Sequence, residues 1–70
     1  MWIKKNNTLI NLEKFDAIKQ DNNDPDLIVL VKDDRKLRIG YFEHVSKILD
    51  EIAETMGNGN SLYKMPCEKK

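Results

Sequence analysis

Residues 27 to 31 have the sequence Leu-Ile-Val-Leu-Val, a continuous apolar run rich in β-branched side chains. Such residues favour strands, and an unbroken apolar run is typical of a strand that is covered on both faces. The polar residues 21 to 26 precede it, and Pro25 fixes its own φ and disfavours a helical Asp24, which predicts a turn there. The run therefore predicts the central strand of a sheet.

A hairpin and a second strand are expected next. Residues 33 to 36, Asp-Asp-Arg-Lys, are polar and separate two apolar runs, which predicts a hairpin connection. The following residues alternate, so we expect Leu37, Ile39 and Tyr41 on one face, with Gly40 at a bulge or a close backbone approach. This pattern indicates an antiparallel strand pair.

The apolar period then changes to that of a helix. One helical stripe contains Phe42, Val45, Leu49, Ile52 and Met56, with Ile48 and Ala53 beside it, and the opposite face contains Glu43, Lys47, Asp50, Glu51 and Glu54. Gly57 is a natural end, but no capping residue directly precedes Glu43, and Ser46 could cap only a shorter helix. The pattern predicts an amphipathic helix of about four turns.

The pattern in the N-terminal third of the sequence determines the secondary structure less clearly. Asn6 and Asn7 suit a tight hairpin loop between residues 2–4 and 8–12, because asparagine tolerates positive φ. Residues 12 to 19 fit either a strand or a short helix capped by Asn11. Both alternatives stay open on the residues alone.

These patterns together predict an α+β domain over residues 1 to 57. We expect an antiparallel sheet of four to five strands, arranged as a meander, with one C-terminal amphipathic helix packed on it. Residues 58 to 70 show no sustained period, which predicts a flexible tail that could add a short strand through Leu62 to Met65.

The order of these features resembles a group of small, stand-alone bacterial proteins of unassigned function. The likeness covers residues 1 to 56 and includes the piece Leu9-Ile10-Asn11-Leu12, an isolated Ile18, the apolar strand, the piece from Leu37 to Phe42 and the final helix. The resemblance implies a meander closed by a helix, similar to a reduced pleckstrin-homology-like domain, with residues 12 to 19 as strand. The chain departs from that pattern at His44-Val45-Ser46, where such proteins often open the helix with a serine and a glutamate.

Composition restricts the function. The chain has 70 residues, 12 basic and 12 acidic side chains, one histidine and one cysteine. It therefore cannot form an internal disulfide or a structural zinc site, and its zero net charge gives no overall attraction for a phosphate backbone. A core of this size seldom supplies more than about 3 to 5 kcal/mol, so we expect a homodimer or a protein partner, without metal or cofactor, and with nucleic acid as the less favoured partner.

The sequence also suggests a location. It has no apolar run near the roughly 18 residues that a membrane span needs, and its N-terminus lacks the apolar middle of a secretory signal. The single cysteine, Cys67, agrees with a reducing compartment. We therefore expect a cytoplasmic protein that does not contact a membrane.

Two sets of surface residues are candidates for binding. Trp2 is next to the terminus, where full burial within one subunit is difficult, and we take Trp2, Leu9 and Tyr41 as candidate interface residues. Arg35, Lys36 and Arg38, close to an aromatic pair, are candidate phosphate contacts, although Asp33 and Asp34 adjoin them and an ordinary solvated hairpin explains them as well.

No pattern indicates catalysis. Glu43 and His44 point about 100° apart on a helix, so they do not form an acid–base pair. The turn at residues 21 to 26 has proline at the fifth position of a calcium loop and Asp26 where glycine is required. We therefore expect a non-enzymatic interaction module, with a nucleic-acid-associated protein as the alternative.

Overall fold

The computed structural model describes residues 1 to 69 and contains strands, one helix and a single 3₁₀ turn. The strands are β1 (Trp2–Lys5), β2 (Thr8–Asn11), β3 (Ala17–Gln20), β4 (Leu27–Lys32), β5 (Arg35–Tyr41) and β6 (Leu62–Lys64); the helix is α1 (Val45–Gly57), and the 3₁₀ turn is Leu12–Lys14. The α+β class is confirmed.

The strands form two three-stranded sheets, so the prediction of a single four- to five-stranded meander is wrong. The chain leaves the first sheet at the 3₁₀ turn, where the Asn11 side chain accepts a hydrogen bond from the Glu13 N–H at 3.1 Å. This turn redirects the chain, and β3 begins the second sheet. Residues 12 to 19 thus contain both a capped helical turn and part of a strand.

The first sheet has the order β2-β1-β6. The predicted hairpin at Asn6-Asn7 is present, with Asn6 at a φ of 53°, and it pairs β1 with β2 in antiparallel register. The segment after the helix supplies β6, which lies parallel to β1 and pairs Trp2 with Leu62. A strand therefore follows the helix, in agreement with the predicted short strand through Leu62 to Met65, so the helix does not close the fold.

The second sheet has the order β3-β4-β5 and is antiparallel throughout. The prediction of β4 as a central strand covered on both faces is confirmed, since every residue from Leu27 to Leu30 is buried. The hairpin at Asp33-Asp34 is also confirmed, with positive φ at both residues.

β5 contains the bulge that Gly40 suggested. Ile28 pairs with Gly40 and Val29 with Arg38, so Ile39 is the extra residue. The bulge reverses which of the alternate residues of β5 point to the core. Leu37 is opposite Leu30 on the core side, whereas Tyr41 is opposite Leu27 on the outer side. The prediction that Leu37, Ile39 and Tyr41 share one face is therefore wrong.

The helix is confirmed and ends at the predicted Gly57. His44 is at its N-cap without a side-chain capping hydrogen bond, and α1 buries Val45, Ile48 and Ile52. Met56, which the apolar stripe included, is 52% exposed and is not among the residues that α1 buries. Within residues 1 to 69 no helix is long and apolar enough to cross a membrane.

One core joins the two sheets and the helix. Its buried residues are Ile3, Leu12, Ile28, Leu30, Ile39, Phe42, Val45, Ile48 and Ile52, with Ile10, Ile18, Tyr63 and Met65 packed against them. Each sheet therefore has one face in the core and one outer face. Alternation along the strands decides which side chains reach each outer face.

Candidate functional site

The outer face of the first sheet carries apolar and cationic side chains. Ile3 is fully buried, so its neighbours Trp2 and Lys4 point to the opposite side. The register places Asn11 and Leu62 beside Trp2, and Leu9 and Lys64 beside Lys4. We call this set, Trp2, Lys4, Leu9, Asn11, Leu62 and Lys64, the first outer face.

The apolar members of this face are each about half exposed. Trp2 is 45% exposed, Leu9 59% and Leu62 42%. With Ser61 they line one open cavity of about 280 Å³. The structure thus brings together two predicted interface residues, Trp2 and Leu9, and adds Leu62.

Sequence reasoning missed Leu62 because its exposure depends on β6 pairing in parallel with the far end of the chain. The only signal was the possible short strand from Leu62 to Met65. Tyr41, the third predicted interface residue, lies on β5 in the other sheet, where its N–H donates to Glu68 Oε1 at 3.2 Å. The structure does not bring Tyr41 into the first outer face.

The charge of the first outer face is positive. Lys4 and Lys64 are neighbours on β1 and β6, and no carboxylate belongs to the face. Neither lysine takes part in an ion pair within residues 1 to 69. Glu13 lies beyond the Trp2 end, where its side chain is 79% exposed and 3.4 Å from the N-terminal ammonium of Met1.

The predicted phosphate contacts do not converge. Ile28 and Leu30 of β4 are in the core, so Val29 and Val31 point to the outer face of the second sheet. Their cross-strand partners point the same way: Lys19 and Arg38 beside Val29, and Lys36 beside Val31. Arg35 is opposite Lys32 and points to the other face. The structure therefore separates Arg35 from the other two predicted contacts.

One of the cations on the outer face of the second sheet, Lys36, forms an ion pair. Lys36 Nζ lies 3.5 Å from Asp21 Oδ1. Partial desolvation would raise the pKa of Asp21, but the Asn23 N–H and the Lys36 ammonium outweigh it and lower that pKa.

β5 is an edge strand, and exposed charges with a bulge are devices that prevent an edge from pairing with another chain.

The carboxylates of the acidic turn at residues 21 to 26 accept backbone hydrogen bonds or form an ion pair within the protein. Asp21 Oδ2 accepts the Asn23 N–H at 3.1 Å, and Asp24 Oδ1 accepts the Asp26 N–H at 3.1 Å. Lys69 Nζ binds Asp26 at 2.8 Å. Across residues 1 to 69 there is no group of three or more His, Cys, Asp or Glu side chains that could hold a metal ion.

A larger open cavity, about 750 Å³, lies between α1 and the C-terminal residues. The buried side chains of Phe42 and Ile48 contribute to it, and exposed His44, Lys47 and Cys67 are at its rim. Among the described residues no side-chain hydrogen bond joins His44 to Cys67.

Comparison with known proteins gives no relative. No protein-family model, curated protein or solved structure matches this chain. The resemblance to small bacterial proteins with a pleckstrin-homology-like pattern therefore stays a prediction. The geometry of the first outer face is the basis for a functional proposal.

Proposed function

We propose that this protein is a non-enzymatic interaction module that docks another polypeptide on the first outer face. The observation that carries the proposal is the convergence of Trp2, Leu9 and Leu62 on the solvent side of a sheet whose other side is core. Tryptophan is among the residues that dominate binding energy at interfaces.

The expected affinity is modest. Fully burying a large apolar side chain contributes about 1.5 to 3 kcal/mol, so three half-exposed side chains supply about 3 kcal/mol in total. Association also costs translational freedom and side-chain entropy. This balance favours a weak and reversible contact, unless the partner contacts further parts of the molecule.

The non-enzymatic part of the proposal is supported by the interior. No polar or charged side chain is buried within residues 1 to 69. Catalytic groups usually depend on burial or charged neighbours to reach a useful pKa.

Cys67 is exposed and is the only cysteine, which suits a reducing compartment such as the cytoplasm.

A second candidate is association with nucleic acid through the outer face of the second sheet. Lys19, Lys36 and Arg38 share that face, although Lys36 is paired with Asp21. Phosphate contacts would make binding of single-stranded RNA or DNA fall steeply with salt. Absence of binding at low salt would remove this candidate.

The main proposal is tested with a random-peptide display library against the intact protein. Trp2 is the only tryptophan, so its fluorescence reports on the first outer face directly. We expect enriched peptides to shift Trp2 emission and to lose binding to Leu9→Asp. Leu37→Asp is the matched control once circular dichroism shows that it is folded, because Leu37 is 51% exposed, although it lies on the core side of the other sheet.

Sedimentation equilibrium determines whether the partner can be a second copy. A mass twice the 8.2 kDa of the monomer that falls to the monomer mass in Leu9→Asp supports an interaction module that binds itself. A monomer whose enriched peptides all bind Leu9→Asp and wild type equally would overturn the proposal.

A further inference from the structure

We infer that the first outer face recognises an acidic peptide segment, in which one or two Asp or Glu residues adjoin an aliphatic or aromatic anchor. This inference rests on the proposed function and names the chemistry of the partner. It follows from the charge, the size and the surroundings of the face.

The side chains of the first outer face form two rows across the sheet, and the positive charge is in one of them. One row contains Leu9, Lys4 and Lys64, and the next contains Trp2 and Leu62 with Asn11. Rows on one face are two residues apart along each strand, about 6.6 Å. An anchor seated on the Trp2 row therefore places neighbouring carboxylates over the two lysines.

The lysines are available for this contact. Neither Lys4 nor Lys64 is in an ion pair within residues 1 to 69, and both are exposed. By contrast, Lys5 on the inner side of β1 pairs with Glu68 at 3.4 Å, and Lys36 pairs with Asp21. Charge complementarity thus favours a partner that supplies carboxylates.

The size of the face favours a short segment. Three strands about 4.8 Å apart and four residues of about 3.3 Å each give a face of roughly 14 by 13 Å, or about 200 Å² in projection. A stable complex of globular proteins buries about 800 Å² on each partner. An extended stretch of about four residues covers this face, whereas a globular partner needs contacts elsewhere.

A second copy is less suited than an acidic segment. Stacking two copies through this face brings one positively charged surface against an identical one, because a two-fold interface uses the same patch on both subunits. Like charges that face each other across an interface are repulsive. The same area limit applies, so this face alone would not hold a stable dimer.

An anionic membrane is less suited for a different reason. Glu13 lies beyond the Trp2 row and its side chain is 79% exposed. A lipid surface is a broad plane, so insertion of Trp2 would also bring the ion pair of Glu13 and the Met1 ammonium toward anionic headgroups, and this pair adds no net positive charge to attract them. A narrow peptide can follow the two rows without contacting Glu13.

The inference is tested by titrating Trp2 fluorescence with three synthetic peptides on the intact protein. The peptides share two leucines and differ in the flanking residues, which are glutamate, glutamine or lysine. We expect the glutamate peptide to bind about tenfold more tightly than the glutamine peptide at low salt, with the difference shrinking as salt rises. The lysine peptide is expected to bind most weakly.

Charge reversal makes the test specific. The Lys4→Glu/Lys64→Glu variant should prefer the lysine peptide, whereas Lys19→Glu/Lys47→Glu, with both changes elsewhere on the surface, should keep the preference for glutamate. Far-ultraviolet circular dichroism establishes that each variant is folded. A reversed preference in the first variant alone supports the inference.

The other outcomes overturn the inference and separate it from the proposed function. If library peptides bind in a Leu9-dependent manner but all three charge types bind equally, the acidic partner is wrong and the docking face stands. If phosphatidylserine vesicles shift Trp2 emission and no peptide does, both proposals fail in favour of a membrane surface. Self-association that excludes every peptide replaces the acidic segment with a second copy.

Discussion

Glu68 lies directly against the bare Cα of Gly40, at the point where β5 carries its bulge. The Glu68 carboxylate accepts the Tyr41 N–H at 3.2 Å and is 3.4 Å from Lys5 Nζ. Lys69 adds a backbone hydrogen bond to the Tyr41 carbonyl. The C-terminal residues are thus fastened to the edge of the second sheet, and the fastening depends on the missing side chain at residue 40.

We expect Gly40→Ala to lower the free energy of unfolding by about 1 to 2 kcal/mol. A Cβ at this position would overlap the Glu68 carboxylate, which must then leave Lys5 and the Tyr41 N–H. Urea denaturation followed by circular dichroism measures the change.

A double-mutant cycle with Glu68→Ala isolates the contact. In the Glu68→Ala background the obstacle is gone, so Gly40→Ala should cost about 1 kcal/mol less than in the wild type. Equal costs in the two backgrounds would show that Glu68 does not occupy this position in solution.

Asp34→Gly should stabilise the fold by about 0.5 to 1 kcal/mol. Asp33 and Asp34 have φ values of 49° and 68°, and a two-residue loop with positive φ at both positions is the type I′ turn that Asp-Gly favours. Thermal unfolding measures the gain. Asp34→Ala is the matched control and should destabilise, because alanine tolerates positive φ poorly; a gain from alanine would contradict the turn assignment.

Stability should fall at alkaline pH through Tyr63. Partial burial, the 2.8 Å hydrogen bond to Glu51 and the charge of Glu51 raise the pKa of Tyr63 from 10.0 to about 12. The folded protein therefore holds the phenol proton at pH values where the unfolded chain has lost it. The contribution is fully present below pH 10 and is lost as the pH rises to about 12.

Two variants check the assignment. Tyr63→Phe has no phenol proton at this position, so its stability should not fall through Tyr63 at alkaline pH. The difference in unfolding free energy between wild type and Tyr63→Phe should therefore shrink as the pH rises from 10 to 12. In Tyr41→Phe, Tyr63 is the remaining tyrosine, and tyrosinate absorbance reports its pKa directly. A midpoint at the ordinary value of 10.0 would refute the contact with Glu51.

Local patterns were sufficient for β4, both hairpins and the helix. The apolar run at residues 27 to 31, the turn residues and the helical stripe each encode structure within a few neighbours. The division into two sheets was not predictable in this way, because it depends on one capped turn at Leu12–Lys14 in a stretch whose period fits strand and helix alike. The parallel pairing of β6 with β1 joins residues 60 positions apart, which no local period records.

The candidate site shows the same limit. Trp2 was identified because it is next to the terminus, and Leu9 was predicted with it, but Leu62 joins them only through the long-range pairing of β6. Tyr41 was predicted together with them, but it lies on β5, which belongs to the other sheet. Arg35 was grouped with Arg38 by proximity in sequence, whereas strand alternation separates them.

Adjacent residues on β1 provide the final prediction. Ile3 is fully buried and Trp2 is 45% exposed, so Ile3→Ala should cost about 2 to 5 kcal/mol of stability, which is most or all of what a chain of this size has. Trp2→Ala should change stability much less and abolish peptide binding at the first outer face. Denaturation of both variants and a calorimetric titration of each folded one measure the two effects. A loss of stability in Trp2→Ala as large as that in Ile3→Ala would mean that Trp2 is a core residue, and the first outer face would then have no reason to bind a partner.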